Sequence, residues 1–266
     1  MSTLKIATWN INSVRLRIES VKRFLAEHKP DVLCLQETKV ENGSYPSKAF
    51  EEVGYPHLAI NGQKGYHGVA IASRLPLEKI KVREFCGMGD TRHVSAIAKG
   101  VEVHSFYVPA GGDEPDPAIN PKFQHKLDFL DEMEAMFKNW KGKDKTHRVI
   151  VGDLNIAPLE NDVWSHKQLL KVVSHTPVEV EALERVFKAG KFSDVMRDQW
   201  PEPERLYTWW SYRSKDYKAS NRGRRLDHIW VSPSLKDKRK DVLLFEEARG
   251  WEKPSDHCPV MVTLKV

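Results

Sequence analysis

Cysteine is scarce in this chain of 266 residues, which contains only Cys34, Cys86 and Cys258. An odd count without metal-ligand spacing argues against a disulfide framework and a structural zinc site, and it is typical of a reducing compartment. The sequence also lacks an apolar run long enough to span a bilayer, and no signal peptide follows Met1. We therefore expect a cytoplasmic protein without a membrane segment.

Several common sequence motifs are absent as well. No GxGxxG, Walker loop or HExxH occurs, which argues against dinucleotide binding, P-loop phosphate transfer and HExxH-type zinc chemistry. Internal repeats, low-complexity tracts and linkers are also missing, so residues 1–266 are expected to form a single domain.

What the chain has is the composition of a globular protein. Hydrophobic residues make up 40% and charged residues 30%, which suits a sizeable core under a polar surface. The formal net charge is +5 at pH 7, a modest excess that is compatible with a polyanionic partner.

The apolar pattern predicts at least eight strands and three helices. The strand-like runs are LKIATW, DVLCLQ, GVAIAS, VSAIAK, VHSFYV, RVIVG, RLDHIWV and PVMVTLKV. An apolar face from Val14 to Leu25 predicts one helix, and KFQHKLDFLDEMEAMF predicts a second after the irregular loop PAGGDEPDPAINP. The capping box TPVE predicts a third helix, from Thr176 to Gly190.

Carboxylates, carboxamides and one histidine lie at the ends of five of these strands. They are Asn10, Glu37, Asp153, Asn155, Asp227, Asp256 and His257. One such residue is an ordinary strand boundary, but five boundaries of this kind indicate a shared rim, although some of them are also common turn formers. If the rim is shared, three strands run toward it and two run away from it, which a parallel sheet does not allow. We therefore predict two packed mixed sheets with helices outside.

Such a rim has a recognisable chemistry. Clustered oxygen ligands without a Cys/His quartet suit Mg²⁺ or Mn²⁺, and gathered carboxylates repel one another unless a cation neutralises them. His257 adds an imidazole that Asp227 can orient and keep protonated. These groups favour metal-assisted phosphodiester hydrolysis. Ser255, Asp256 and His257 are not a serine triad, because contiguous residues in extended chain point to opposite sides.

The motifs WNINSVR, QETK, GYHGVA, YVPAG, GDLNIAP, YTWWSYR, NRGRRLDH and KPSDHCPV occur in this order along nearly the whole chain. In this the chain resembles the endonuclease/exonuclease/phosphatase superfamily, and within it the exonuclease III family. The resemblance implies a four-layer α/β sandwich, in agreement with the strand directions. It also implies a bacterial DNA-repair nuclease, located in the cytoplasm at the nucleoid, that is active on double-stranded DNA as a monomer. The activities implied are cleavage 5′ to abasic sites, 3′-to-5′ exonuclease action and the cleaning of blocked 3′ ends.

The resemblance also implies roles for individual residues. The expected metal-site residues are Asn10, Glu37, Asp153, Asn155, Asp256 and His257. The expected catalytic residues are Tyr107, Asp153, Asn155, Asp227 and His257, with Asp153 either activating water or protonating the leaving group. The expected DNA-binding residues are Asn12, Arg92, Trp209, Tyr212, Arg213 and Arg222, with Trp209 facing DNA and Trp210 packed inward. Ala110 departs from the family, which usually has Asn or Gln there, so one polar contact near Tyr107 is expected to be lost.

Two other functions are compatible with parts of the pattern. A phosphodiesterase acting on a lipid or inositol headgroup has the same GD.N and SDH motifs, but the basic charge and YTWWSYR argue against it. A catalytically inactive DNA-binding relative is the second alternative. It conflicts with the presence of every expected metal and acid–base residue.

Overall fold

The computed structural model describes residues 2–140, 146–214 and 216–266, and within these ranges the chain forms fourteen strands and seven α-helices. The strands are β1 (Thr3–Asn10), β2 (Val32–Gln36), β3 (His57–Asn61), β4 (Val69–Ser73), β5 (Leu77–Val82), β6 (His93–Ala98), β7 (Val101–Tyr107), β8 (His147–Asp153), β9 (Ser193–Asp194), β10 (Trp209–Trp210), β11 (Gly223–Arg224), β12 (Asp227–Val231), β13 (Arg239–Leu244) and β14 (Val260–Lys265). The helices are α1 (Ile18–His28), α2 (Ser47–Glu52), α3 (Pro121–Lys138), α4 (His166–Leu169), α5 (Pro177–Ala189), α6 (Val195–Gln199) and α7 (Tyr217–Ser220).

Twelve of the strands form two six-stranded sheets of mixed direction. The order is β13-β14-β1-β2-β4-β3 in the first sheet and β5-β6-β7-β8-β12-β9 in the second. In the first, β1 is parallel to β2 and antiparallel to β14. In the second, β8 is parallel to β7 and antiparallel to β12. The predicted strand directions, and with them the predicted fold class, are confirmed.

Alternation along the strands produces the layers. In β1, Leu4 and Ile6 pack between the two sheets, whereas Trp9 points to the opposite face and packs with Phe24 of α1. The second sheet is covered in the same way, because its outward Ile150 packs against side chains of α3 and α5. Each fully buried aliphatic or aromatic side chain of this kind contributes about 1.5–3 kcal/mol. The result is a helix–sheet–sheet–helix sandwich.

The start of α1 differs from the prediction. Val14 is buried but precedes the helix, which begins at Ile18. The reason is that the backbone N–H groups of Ser13 and Val14 donate to the carbonyls of Glu37 and Thr38, at 2.7 and 3.2 Å. This pairing ties the segment after β1 to the segment after β2, and it thereby helps to position Glu37 at the rim.

Candidate active site

The amide of Asn10 lies at the centre of the polar rim and joins the two sheets. Its Nδ2 atom donates to Oε1 of Glu37 and to Oδ2 of Asp153, both at 2.8 Å. Asn10 ends β1 and Glu37 follows β2, whereas Asp153 ends β8 of the opposite sheet. The residues predicted at three separate strand ends therefore meet within hydrogen-bonding distance.

Glu37 has a second partner that the sequence did not single out. Lys39 Nζ lies 2.9 Å from Oε2 of Glu37 and also donates to Oδ1 of Asn12, at 2.6 Å. Burial alone would raise the pKa of Glu37, but the charge of Lys39 and the Asn10 hydrogen bond outweigh it, and the pKa is lowered. Glu37 is therefore an ionised carboxylate whose oxygens can bind a cation.

His257 is bound on one side by Asp227. Its Nδ1 atom lies 2.7 Å from Oδ2 of Asp227, which also accepts a hydrogen bond from Oγ1 of Thr208 at 2.7 Å. Burial would lower the pKa of the imidazole, but Asp227 and Asp153 raise it strongly. Backbone contacts fix the histidine further, since its carbonyl accepts from Trp9 Nε1 at 3.0 Å. His257 is thus held as an imidazolium beside the rim.

Asp153 lies on the other side of His257. The distance from its Oδ2 atom to Nε2 of His257 is 3.7 Å. Burial raises the pKa of this carboxyl group, and the nearby charge of Asp227 adds to the effect, although His257 and Asn10 oppose it. A carboxyl group with a raised pKa can exchange a proton near neutral pH, which suits a general acid or base.

Gly152 explains how Asp153 reaches this position. Its φ angle is +142°, and a Cβ atom there would lie 1.9 Å from the carbonyl oxygen of Phe106 in the neighbouring strand. A side chain would force β7 and β8 apart, and these strands carry Tyr107 and Asp153 as register partners. The glycine of the GDLN motif is therefore required by close backbone approach.

Asn155 and Tyr107 complete the side of the site that belongs to the second sheet. The Nδ2 atom of Asn155 donates to the carbonyl of Val108 at 2.9 Å and to Oδ2 of Asp153 at 3.1 Å. Burial raises the pKa of Tyr107, and the charges of Glu37 and Asp153 raise it further, so the phenol keeps its proton. The Tyr107 hydroxyl can donate a hydrogen bond toward a phosphate oxygen, and the Asn155 amide can do so in place of its bond to Asp153.

Arg92, which the sequence predicts to contact DNA, is enclosed within the fold. Its side chain is 7% exposed, and its Nε atom donates to Oδ2 of Asp90 at 2.7 Å. The guanidinium carbon lies 4.9 Å from the centroid of the Tyr107 ring. Arg92 is therefore buried against Tyr107, where it supports the ring, because Asp90 compensates its charge inside the fold.

Asp256 and Trp209 form the opposite side of the rim. Trp209 Nε1 donates to Oδ2 of Asp256 at 2.9 Å, and Asn12 Nδ2 donates to Oδ1 at 3.1 Å. Trp209 is half-buried and pairs with His257 through an isolated β-bridge, whereas Trp210 is only 2% exposed and lies in the core. Trp210 therefore packs inward, as predicted, and the contact of Trp209 with DNA stays a prediction.

An open cleft of about 930 Å³ lies over the rim. Its lining includes Glu37, Tyr107, Asp153, Asn155, Asp256 and His257. Trp209, Arg213 and Arg222 also face this cleft, and Arg222 lies over the ring of Trp164, at 4.7 Å from its centroid. Tyr212 is exposed, and its hydroxyl donates to the carbonyl of Pro254 at 2.8 Å. Asn12 and Tyr212 do not line the cleft itself within the described residues, whereas Trp164 does.

Residues 7–257 match the Endonuclease/Exonuclease/phosphatase family. The chain belongs to this family. It is 31% identical to exodeoxyribonuclease III of Haemophilus influenzae, with 98% of this chain and all of the relative aligned. Among solved structures it superposes on an AP endonuclease from Archaeoglobus fulgidus with a TM-score of 0.91 and 36% identity, over 99% of this chain and 100% of the other. The 3′ phosphatase NExo from Neisseria, bound to a product DNA hairpin, gives a TM-score of 0.90 and 31% identity over the same shares.

The oxygen atoms gathered at the rim are suitable ligands for a hard divalent cation such as Mg²⁺. Glu37 and Asp153 offer carboxylate oxygens on either side of the Asn10 amide, and the negative charges of Asp227 and Glu37 add to burial in raising the pKa of Asp153, so a cation bound here would relieve the repulsion between these carboxylates. Asp153, Asp227 and His257 also bring possible ligand atoms within 4.8 Å of one another. We assign Asp227 to the orientation of His257, because its Oδ2 atom already accepts two hydrogen bonds.

Three residues at the site had no separate signal in the sequence. Lys39 belongs to the motif QETK and Thr208 to YTWWSYR. Only the fold shows that they contact Glu37 and Asp227, respectively. Trp164 has no motif of its own and reaches the cleft because its backbone N–H donates to the carbonyl of Gly223, at 3.1 Å. Across the described residues, no helix is long and apolar enough to cross a membrane.

Proposed function

We propose that this protein is a DNA-repair nuclease that hydrolyses phosphodiester bonds with the help of a divalent cation. The observation that carries the proposal is the convergence of Asn10, Glu37, Asp153 and the Asp227–His257 pair at one rim. Relatives that align over essentially their whole length are an exodeoxyribonuclease III and an AP endonuclease. The lipid or inositol alternative is not favoured by these relatives.

The side chains have complementary tasks in such a reaction. His257, kept positive by Asp227, donates a hydrogen bond to a phosphate oxygen as negative charge develops on it. Tyr107 donates to the phosphate from the side of the second sheet, and Asn155 does so in place of its bond to Asp153. Asp153 takes a proton from the attacking water or returns one to the leaving oxygen, since its pKa is raised by burial. The candidate metal-site residues are Glu37, Asp153 and Asn10, with Asn155 and Asp256 beside them, and His257 borders the site as a cation. A bound Mg²⁺ or Mn²⁺ would neutralise phosphate charge.

The substrate that we propose is double-stranded DNA, cut 5′ to abasic sites and trimmed or cleaned at 3′ ends. The activities of these relatives support this choice, and the structure of one of them was solved with a DNA product. Trp209 and the arginines Arg213 and Arg222 face the cleft and are the proposed contacts to DNA, together with Asn12 and Tyr212. We also propose that residues 1–266 act as one domain and as a monomer in the cytoplasm at the bacterial nucleoid.

Incubation of the protein with a labelled abasic duplex tests the function directly. Cleavage 5′ to the site in Mg²⁺ or Mn²⁺, and its loss in chelator, is the expected result. A blunt duplex and a 3′-phosphate duplex in parallel measure the exonuclease and end-cleaning activities. Hydrolysis of inositol phosphodiesters in preference to all three DNA substrates would contradict the proposal.

A further inference from the structure

A buried ion pair joins two helices directly behind the rim. Lys126 of α3 and Glu179 of α5 are both fully buried, and the ammonium of Lys126 is hydrogen-bonded to Oε1 of Glu179. The ammonium also donates to the carbonyl of Asn155 at 2.8 Å and to the carbonyl of Ala110 at 3.2 Å. Its three N–H groups are thus directed to three partners, two of which belong to the loops that carry the site.

The contact with Asn155 helps to fix a left-handed backbone conformation. Asn155 has a φ angle of +53°, in a region that asparagine adopts more readily than most residues other than glycine. The carboxylate of Asp153 fixes its backbone N–H at 2.9 Å, and the carbonyl of Val108 fixes its side chain at 2.9 Å. Lys126 adds a contact to the carbonyl of Asn155, and it thereby holds the peptide group between Asn155 and Ile156.

Glu179 extends the same network to the other wall of the cleft. Its carboxylate accepts from the backbone N–H of Thr176 at 3.1 Å, as in a capping box of α5, and also from the backbone N–H of Ser174 at 3.0 Å and from Oγ1 of Thr176 at 2.6 Å. The hydroxyl of Ser174 in turn accepts from Nη1 of Arg224 at 2.7 Å. The guanidinium of Arg224 lies over Trp209, at 5.4 Å from the ring centroid. One ion pair is therefore connected to both Asn155 and Trp209.

The chain also leaves room for the lysine to reach its partners. The stem of Lys126 passes under Gly111, where an added Cβ atom would lie 3.0 Å from Cδ of Lys126. Gly111 has a φ angle of +91°, so the loop after β7 is shaped around this stem. Burying a charge pair is expensive, and replacing one with neutral groups is often neutral or stabilising. The position of this pair behind the catalytic loops gives a reason for keeping it.

We propose that Lys126, with Glu179 as its counter-ion, is a positioning residue that holds Asn155 and the Ala110 loop in the geometry needed for phosphodiester cleavage. This inference rests on the proposed function, since it assumes that Asn155 contacts the phosphate. Lys126 itself is buried and acts through the two carbonyl groups. Its removal is expected to lower turnover and to leave the binding of DNA nearly unchanged.

The test variant is Lys126→Met combined with Glu179→Gln, because Lys126→Met alone leaves a buried carboxylate uncompensated and risks unfolding. Glutamine at the third helical position still serves the capping box of α5. The matched control is Arg148→Met, which removes a 2.8 Å ion pair with Glu102 at the starts of β7 and β8. That pair lies in the same two strands as Tyr107 and Asp153, but at their opposite ends. Steady-state cleavage of an abasic duplex and hydrogen exchange of the 153–157 peptide are measured for all proteins.

In the folded double variant, kcat is expected to fall by about tenfold or more and KM to change by less than about threefold, the pattern of an interaction needed in the transition state. Exchange of the 153–157 peptide is expected to be faster, whereas Arg148→Met changes neither quantity. An unchanged kcat, an unchanged exchange rate or an equal loss in the control overturns the inference. A wild-type protein that cleaves no DNA would instead overturn the proposed function. The exchange data alone would then decide whether Lys126 holds this loop.

Discussion

Nδ1 of His257 lies 2.7 Å from Oδ2 of Asp227, and both side chains are buried. The pairing raises the pKa of His257, so the imidazolium persists through neutral pH and is lost only as the pH rises through the raised value. Asp227→Asn removes the charge that supports the cation, and the pKa of His257 should fall. We expect the alkaline limb of the kcat profile to move to lower pH and kcat at pH 8 to drop by roughly 10²-fold.

Glu102→Gln is the control for this prediction, because Glu102 lies at the opposite end of the sheet. Its profile should match that of the wild type. An Asp227→Asn enzyme with an unshifted alkaline limb would show that the Asp227–His257 pair does not control the titrating group.

Glu37→Gln should weaken the metal site, because an amide oxygen is a poorer ligand for Mg²⁺ than a carboxylate. At limiting Mg²⁺ we expect cleavage to fall by roughly 10²-fold or more, which corresponds to a few kcal/mol. Excess Mg²⁺ should restore part of the activity, so a Mg²⁺ titration of the initial rate is the measurement. If the Glu37→Gln variant kept the wild-type rate at limiting Mg²⁺, Glu37 would not be a metal ligand.

Trp209→Ala should reduce abasic cleavage by about one to two powers of ten, since stacking of an aromatic ring on nucleic acid contributes ~1–3 kcal/mol. Hydrolysis of bis(p-nitrophenyl) phosphate should fall much less, because the substitution leaves Glu37, Asp153 and the Asp227–His257 pair in place. Trp210→Ala should mainly lower the melting temperature, since Trp210 is 2% exposed. The idea fails if neither variant separates abasic cleavage from hydrolysis of the small ester.

DNA affinity should decrease with salt, with a log–log slope of about −0.9 for each phosphate that the protein neutralises. Arg213→Ala and Arg222→Ala, which remove exposed cations at the cleft, should each reduce the slope by about 1 if they contact phosphate. Fluorescence anisotropy at several salt concentrations measures this. A slope that stays unchanged in both variants would exclude these arginines from the interface.

Arg92→Met should behave differently from the surface arginines. Because Arg92 is bound to Asp90 and lies against Tyr107, we expect a lower kcat and an unchanged salt slope. The same anisotropy series, together with single-turnover rates, distinguishes the two roles. A reduced salt slope would show instead that Arg92 contacts a phosphate group of DNA.

The sequence predicted the buried strands and the rim because both leave local signals. Each of the eight predicted strands forms, and their polar ends meet as expected. Six of the fourteen strands in the described residues were not predicted: β3, β5, β9, β10, β11 and β13. Among them, β5 and β13 are edge strands that carry several charged residues, which hides the strand pattern, whereas β9, β10 and β11 have only two residues each. The segment Leu235–Asp241 mixes positive and negative charges, a pattern typical of a solvated loop, yet Leu235 is buried and the segment runs into β13.

Tertiary pairings of charged residues could not be predicted in this way. Lys126 and Glu179 are 53 residues apart, and each looks like an ordinary surface residue of an amphipathic helix. Arg92 flanks a motif, which favoured an accessible role, but nothing local indicates that Asp90 and Tyr107 enclose it. Only the three-dimensional packing shows whether a charged side chain faces solvent or a partner.

The pairing of β1 with β14 has a consequence for synthesis. Thr3 pairs with Lys265, so the sheet that holds Asn10 gains its neighbouring strand from a segment made about 250 residues later. A nascent chain that ends before residue 256 lacks both Asp256 and His257, although Asn10, Glu37 and Asp153 are already present. The segment that carries β14 therefore completes the site, and a fragment without it has Glu37 and Asp153 but not the imidazole of His257.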